Sequence, residues 1–278
     1  MVVALVGLLL IYYFFEERNS WLKSQRKHAL IESFARPPAV FQRRENRVKV
    51  AVFAEEGDED ESIVSLERIV NADPKLELHF VSEFDIRKGI LNDFDVFVVP
   101  GGSATEKSIL LGKVGRKAVI DFVRAGGGYV GICAGAFLAS AGREQYLGII
   151  NAKTVIGEKL VNQVGMVSME YYGAGPVRMG FTDAGKKILR EGLGVADIMF
   201  SGGPIFISAS RPDYLVLALY NTEISEYDFQ RGTMIGTPAI IAGKFGKGHV
   251  IAIGPHPELM PCCELLLVSS VLAASRKE

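Results

Sequence analysis

Short apolar runs alternate with amphipathic segments from Val48 onward. The runs VKVAVFA, LELHFV, DVFVVP and GGYVGI are apolar and mostly rich in valine, as is typical of strands buried on both faces. Between them, SIVSLERIVNA and VGRKAVIDFVRAGG have apolar residues at helical spacing, and a glycine pair ends the second segment. Strands and helices that alternate in this way predict a parallel sheet with helices on both faces.

The second half of the chain is richer in strands. Apolar or alternating runs occur in VRMGFT, DIMFSGGPIF, DYLVLALYNT and PAIIAGKFGKGHVIAIG, with helices predicted in DAGKKILREG and CCELLLVSSVLAAS. Phe245-Gly246-Lys247-Gly248 separates two apolar runs and predicts a hairpin turn. Because open α/β sheets bind ligands at the carboxyl ends of their strands, we expect the Pro-Gly-Gly loop, Cys133 and the residues after Ile253 to converge there.

The amino-terminal residues have a different pattern. Residues 1–15 carry no charge, and basic residues follow this segment without preceding it. A cleaved signal peptide normally begins with basic residues, and this segment has none. A buried core helix normally has an amphipathic stripe, which this segment also lacks. The pattern therefore favours a single transmembrane anchor. Residues 16–46 are then a basic juxtamembrane helix and linker, or a solvated spacer, and residues 47–278 are the globular domain. The positive-inside rule places that domain on the cytoplasmic side of the membrane.

The composition of the chain excludes several classes of function. The formal net charge of −1 argues against a nucleic-acid partner, because nucleic-acid-binding surfaces are usually strongly basic. Three cysteines cannot form a disulfide framework, and no His or Cys spacing suits a metal ion, so we expect no metal and no cofactor. Cys262 and Cys263 precede an apolar run and are interpreted as inert packing residues. Cys133 is the cysteine that needs an explanation.

Cys133 lies in Gly131-Ile132-Cys133-Ala134-Gly135, where a predicted strand becomes a predicted helix. A nucleophile at such a turn adopts a strained backbone, and glycines two residues away on either side leave room for that turn. The helix that follows directs amides and its positive dipole end at the sulfur, which favours the thiolate. The pattern predicts a nucleophilic Cys133, and the alternative is a structural cysteine.

A reactive thiolate needs a base and a site for the developing oxyanion. His256 directly follows the last predicted strand. Glu258 is two residues later, so an extended chain would place both side chains on one side, where the carboxylate can orient the imidazole. The other three histidines lack both this loop position and the carboxylate. The oxyanion donors are expected to be the backbone amides of Ala134 and of Gly101 or Gly102, since glycine allows a substrate to approach closely. The alternative for His256 is a histidine at the surface or in the packing, and the alternative for the Pro-Gly-Gly loop is a plain turn.

These three segments carry a family resemblance. GxCxG, a downstream His-x-Glu and an earlier PGG resemble the class I glutamine amidotransferase-like superfamily. The phrases VVPGG, FVRAGGGYVGICAGAFLAS and PAIIAGKFGKGHVIAIGPHPE look closest to its biotin-protein ligase N-terminal-like branch, over residues 48–275. The resemblance implies a flavodoxin-like open, mostly parallel sheet. It also implies a Cys133-His256-Glu258 triad that forms a thioester with a carboxamide or related carbonyl.

The chain also departs from the family pattern. True glutaminases usually carry Gln four residues after the nucleophile, where this chain has Phe137. Intracellular proteases of the superfamily usually carry His directly after the nucleophile, where this chain has Ala134, and a Glu that Glu61 could match. The acidic residues 55–61, however, favour a solvated helix start over such a role.

Two functions therefore remain from the sequence. One is a membrane-anchored cysteine hydrolase acting on a small amide or ester. The other is a non-catalytic ligand-binding or scaffold module on the same fold. The sequence does not identify the substrate or a protein partner.

Overall fold

The computed structural model describes residues 47–54, 60–141, 143–154, 171–189, 194–207 and 213–275. The predicted membrane anchor at residues 1–15 and the linker at residues 16–46 lie outside these ranges. Among the described residues, no helix combines the length and the apolar character needed to cross a bilayer.

The described residues form a mixed α/β fold. Its strands are β1 (Val48–Phe53), β2 (Leu76–Val81), β3 (Val96–Val99), β4 (Gly128–Ile132), β5 (Lys153–Thr154), β6 (Ala174–Phe181), β7 (Val195–Ser201), β8 (Phe206–Ile207), β9 (Tyr214–Tyr220), β10 (Pro238–Phe245) and β11 (Gly248–Ile253). Its α-helices are α1 (Glu61–Ala72), α2 (Glu83–Arg87), α3 (Ala104–Ala125), α4 (Ala134–Ala139), α5 (Asp183–Leu189) and α6 (Glu264–Ala274). Short 3₁₀ helices span Ile90–Asp93, Asp228–Gln230, Pro257–Leu259 and Pro261–Cys263.

Nine of the described strands form one sheet in the order β2-β1-β3-β4-β11-β10-β9-β6-β7. The pairings from β2 to β11 are parallel, and those from β11 to β7 are antiparallel. Within this sheet only β10 and β6 run against the other strands, so the prediction of a mostly parallel α/β sheet is confirmed at that level. The short strands β5 and β8 pair separately.

Alternating side chains along the inner strands pack against helices on the two faces of the sheet. Val50 and Val52 of β1 belong to the core cluster that includes residues of α1 and α6. Phe97 and Tyr129, on β3 and β4, make an edge-to-face ring contact within the core. Strands that are apolar on both sides allow this packing.

Two turns agree with glycine positions in the sequence, and one helix is longer than its pattern indicated. Gly246 has a φ of 61° in the hairpin that joins β10 to β11, and Gly126 ends α3 with a φ of 121°.

The sequence predicted α3 only from Val114, but the helix begins at Ala104, where the Ser103 side chain accepts a hydrogen bond from the Glu106 amide. Gly112, with a φ of 61°, interrupts it, which explains why a continuous periodicity missed the first part.

Candidate active site

Cys133 lies between β4 and α4, and its backbone is strained. It has a φ of 48° and is the one non-glycine residue with a positive φ in the described ranges. A Cβ at position 131 would lie 2.4 Å from the carbonyl of Gly135, and a Cβ at position 135 would lie 2.0 Å from the Val99 carbonyl oxygen. Both positions therefore require glycine, as the GxCxG pattern predicted.

Hydrogen bonds fix the strained turn in place. The Cys133 amide donates a hydrogen bond to the Ile253 carbonyl at 2.9 Å. In the first turn of α4, the amides of Ala136 and Phe137 each donate a hydrogen bond to the Cys133 carbonyl at 3.0 Å. The Tyr129 hydroxyl donates to the Gly135 carbonyl at 2.8 Å. The turn is thus tied to β11, the strand that leads to His256.

His256 and Glu258 form a buried pair in the loop after β11. Nδ1 of His256 lies 2.7 Å from Oε1 of Glu258. Their side chains are 8% and 0% exposed. The sequence predicted that an extended path would bring the two together, but a 3₁₀ helix at Pro257–Leu259 does so instead. The His256 amide also donates to the Met199 carbonyl at 2.7 Å, which joins this loop to β7.

The Cys133 side chain lies close enough to the His256 imidazole to affect its pKa. Burial alone lowers the pKa of His256, but the hydrogen bonds and charges of Cys133 and Glu258 outweigh burial and raise this pKa from 6.5 to about 10. An imidazole that keeps its proton beside a sulfur stabilises the thiolate. The thiol has one further contact, to the Ser201 carbonyl at 3.6 Å.

The Pro-Gly-Gly loop after β3 reaches the same place. A Cβ at Gly101 would lie 2.6 Å from Cε1 of His256 and 3.7 Å from Cβ of Cys133. Gly102 is exposed and has a φ of 106°, and Ala134 is 1% exposed directly after the sulfur. The structure therefore brings Gly101 and Ala134 against the Cys133–His256 pair and leaves Gly102 at the rim.

Three neighbours of this site were not found from the sequence. The Ser62 hydroxyl donates to Oε1 of Glu258 at 2.7 Å. The Ser201 carbonyl faces the thiol, and Gly203 lies so close to Gly254 that a Cβ on it would be 2.0 Å from the Gly254 carbonyl oxygen. Of these three, only Gly203 lies in a distinctive sequence segment, Gly202-Gly203-Pro204 after β7. The Ser62 contact depends on how α1 packs, which no local pattern records.

The remaining sequence candidates are placed as follows. Glu61 is exposed at the start of α1, as a solvated helix start would have it. Phe137 is 5% exposed and lies one turn after Cys133. Cys263 is buried, as expected of a packing residue. Cys262 is exposed, with its sulfur 3.6 Å from the Asp197 carbonyl oxygen.

The two reactive side chains of the site are nearly buried. Cys133 is 5% exposed and His256 is 6% exposed. Two open pockets of about 560 and 530 Å³ lie elsewhere and include neither side chain in their walls. Within the part of the chain that the structure describes, no group of three His, Cys, Asp or Glu side chains is placed to hold a metal ion.

Comparison with known proteins agrees with this architecture. The sequence profile of the family described as "Biotin-protein ligase, N terminal" matches residues 49–275. A biotin–protein ligase from Schizosaccharomyces pombe is 28% identical over 177 residues, which are 59% of this chain and 25% of the ligase. The chain thus matches about a quarter of the length of that relative.

Two solved structures share the fold. The glutaminase domain of Trypanosoma brucei CTPS with bound acivicin has a TM-score of 0.50 and 15% identity, covering 84% of this chain and 95% of that domain. A ThuA-like protein from Bacteroides uniformis has a TM-score of 0.50 and 14% identity, covering 86% of this chain and 95% of its own. The fold is that of the class I glutamine amidotransferase-like proteins, and the chain belongs to the biotin-protein ligase N-terminal family.

Proposed function

We propose that the protein is a cysteine hydrolase that acts on a small amide or ester. One observation carries this proposal: a cysteine in a strained turn lies beside an imidazole whose Nδ1 is held by a buried carboxylate. Nucleophile, base and orienting group in hydrogen-bond contact are the recurring signature of covalent acyl transfer.

The proposed reaction has two stages. The Cys133 sulfur attacks the substrate carbonyl carbon, and the electron pair of the C=O bond moves to the oxygen, near the amides of Ala134 and Gly101. The carbon–nitrogen or carbon–oxygen bond then breaks, and the leaving group takes a proton from His256, which leaves a thioester on Cys133. His256 next removes a proton from water, whose oxygen attacks the thioester. The tetrahedral intermediate then releases the acid, which restores the Cys133 thiolate beside the protonated His256.

Glutamine is not the substrate that this site favours. Phe137 is buried at the position where glutaminases of the superfamily carry an amide side chain, and a phenyl ring cannot donate a hydrogen bond to a polar substrate. We therefore propose a substrate with an uncharged or apolar acyl group.

Acylation by an activated ester tests the proposal. We expect p-nitrophenyl acetate to place an acetyl group on Cys133, detected by peptide mass mapping of the full chain, with a rate that falls about 10²-fold in His256→Ala. Cys133→Ser gives the background, and Cys262→Ser removes the exposed competing thiol. Acetylation of Cys133 at the same rate with and without His256 would refute the proposed chemistry.

A ligand-binding module is the second candidate function. The near-complete burial of Cys133 and His256, together with Phe137, favours it. If this candidate is correct, a metabolite that raises the melting temperature of the wild type does so equally in Cys133→Ser, and no product forms. Loss of turnover in Cys133→Ser supports the hydrolase instead.

We also propose that residues 1–15 tether the protein to a membrane, with the globular domain on the cytoplasmic side. The uncharged run and the basic residues after it support this proposal. Full-length protein should sediment with membranes after a high-salt wash, whereas the double variant Leu8→Lys, Leu9→Lys should remain in the supernatant, because charge in the bilayer centre is costly. Equal partition of both proteins would refute the tether.

A further inference from the structure

We infer that Ser62 is a positioning residue that holds Glu258 in the geometry that His256 needs. This inference rests on the proposed function, since it concerns the same Cys133-His256-Glu258 group. Ser62 lies in the first turn of α1, far from the other three residues in sequence.

Ser62 and His256 bind the same oxygen of Glu258. The Ser62 hydroxyl donates to Oε1 at 2.7 Å, and Nδ1 of His256 lies 2.7 Å from that oxygen. Glu258 is 1% exposed, and its Oε2 is buried without a hydrogen-bond partner in the part of the chain that the structure describes. Ser62 is therefore one of only two described side chains that satisfy this carboxylate.

A buried carboxylate with so few donors depends strongly on each of them. Removing a carboxylate from water is unfavourable unless hydrogen bonds replace the lost solvation. The Ser62 hydroxyl supplies one such bond to the ionised form and also restricts rotation of the carboxylate, so that Oε1 stays directed at the imidazole. Without it, we expect Glu258 to stabilise the charged imidazole less well.

The Ser62 hydroxyl has no structural task in its own helix that would explain it otherwise. The α1 helix is capped by Asp60, whose carboxylate accepts from the Ser62 backbone amide at 2.9 Å. That bond survives the replacement of Ser62 by alanine. The side chain is 8% exposed and points away from solvent toward Glu258.

The surrounding charges do not duplicate this role. The ionisable groups that raise the pKa of His256 are Cys133 and Glu258. On the elements that pack against the Pro257–Leu259 turn, Glu61 and Glu67 of α1 are exposed, and the remaining charged groups form ion pairs. Arg68 of α1 bonds to Glu264 of α6 at 2.7 Å, and Arg178 bonds to Asp197 of β7 at 2.9 Å.

The test compares the pH dependence of Cys133 alkylation by iodoacetamide in the full-length protein. If Ser62 supports Glu258, the midpoint of the acid limb moves to higher pH by about one unit in Ser62→Ala, and alkylation below that midpoint slows about tenfold. Ser270→Ala is the matched control, because Ser270 is a fully buried helix serine bonded to its own helix at the Leu266 carbonyl. It should leave the profile unchanged.

A double-mutant cycle separates positioning from general packing. Once Glu258 is replaced by glutamine, Ser62→Ala should cause no further shift, because its effect passes through the carboxylate. If the midpoint shift of the double variant equals the sum of the shifts of Ser62→Ala and Glu258→Gln, the inference is overturned. If Ser62→Ala impairs folding, Ser62→Thr and Ser62→Val replace it, because threonine and valine have nearly the same shape. Only threonine retains a hydroxyl, so Ser62→Thr should keep the wild-type midpoint and Ser62→Val should not.

The failure of this inference is distinguishable from failure of the proposed function. His256→Ala is measured in the same series. If His256→Ala leaves Cys133 alkylation unchanged, the proposed catalytic group is refuted, and the role of Ser62 falls with it. If His256→Ala slows alkylation but Ser62→Ala matches the wild type, only the positioning role of Ser62 is refuted.

Discussion

Replacing Gly101 by alanine should separate the imidazole from the sulfur while leaving the fold intact. The added Cβ would lie 2.6 Å from Cε1 of His256, and ordinary contacts begin near 3.4 Å, so the ring must move by about 0.8 Å. The ring is a side chain that is hydrogen-bonded to Glu258 and lies beside Cys133, whereas the Gly101 backbone directly follows the buried strand β3. We therefore expect the ring to move and the backbone to stay.

The cost in reactivity follows from that displacement. A misplacement of about 1 Å at a reacting centre can reduce the rate about 10²-fold. Acylation of Cys133 by p-nitrophenyl acetate, in a Cys262→Ser background, should fall by roughly that factor in Gly101→Ala. The free energy of unfolding, measured by urea denaturation, should fall by about 1–3 kcal/mol, as is usual for overpacking.

The matched control is Gly194→Ala. Nothing lies within 4 Å of a Cβ at Gly194, and its φ is not in the left-handed region. This variant should match the wild type in both measurements. Wild-type acylation in Gly101→Ala would show that His256 does not lie against this loop, and it would refute the geometry on which the proposed reaction depends.

Two further variants test the electrostatics and the turn. In Glu258→Gln the pKa of His256 should fall below its value of about 10, because the substitution removes the carboxylate charge that stabilises the imidazolium. NMR titration of the His256 Cε1 proton measures this, and an unchanged pKa would contradict the pairing. Gly131→Ala should lower the free energy of unfolding by at least about 2–3 kcal/mol, because its Cβ would meet backbone atoms of Gly135 at 2.4 Å that cannot yield as a side chain can. Urea denaturation close to that of wild type would refute the constraint.

The sequence could predict those parts of the site that short motifs determine. Cys133 in its strained turn depends on glycines two residues away on either side, and the pattern GxCxG records both. His256 directly follows a buried strand, and the carboxyl ends of neighbouring parallel strands meet at one edge of a sheet. The convergence of β3, β4 and β11 was therefore predictable before any coordinates.

Other parts depend on packing between distant elements. Ser62 reaches Glu258 only because α1 packs against the turn after β11, and a serine at a helix start is otherwise read as part of a cap. The Ser201 carbonyl reaches the thiol because β7 leads back to the loop that carries His256, through the bridge between Met199 and His256. Neither contact leaves a periodic or local trace in the sequence.

The central claim is that His256 activates Cys133, and one comparison within a single molecule tests it most directly. Cys133 is buried and Cys262 is exposed, so access alone would make Cys262 the faster thiol toward iodoacetamide. Peptide-resolved mass spectrometry at pH 7 gives both alkylation rates in the same sample. We predict that Cys133 reacts faster than Cys262 in the wild type and slower than Cys262 in His256→Ala. A Cys133 that is slower than Cys262 in both proteins would contradict the account.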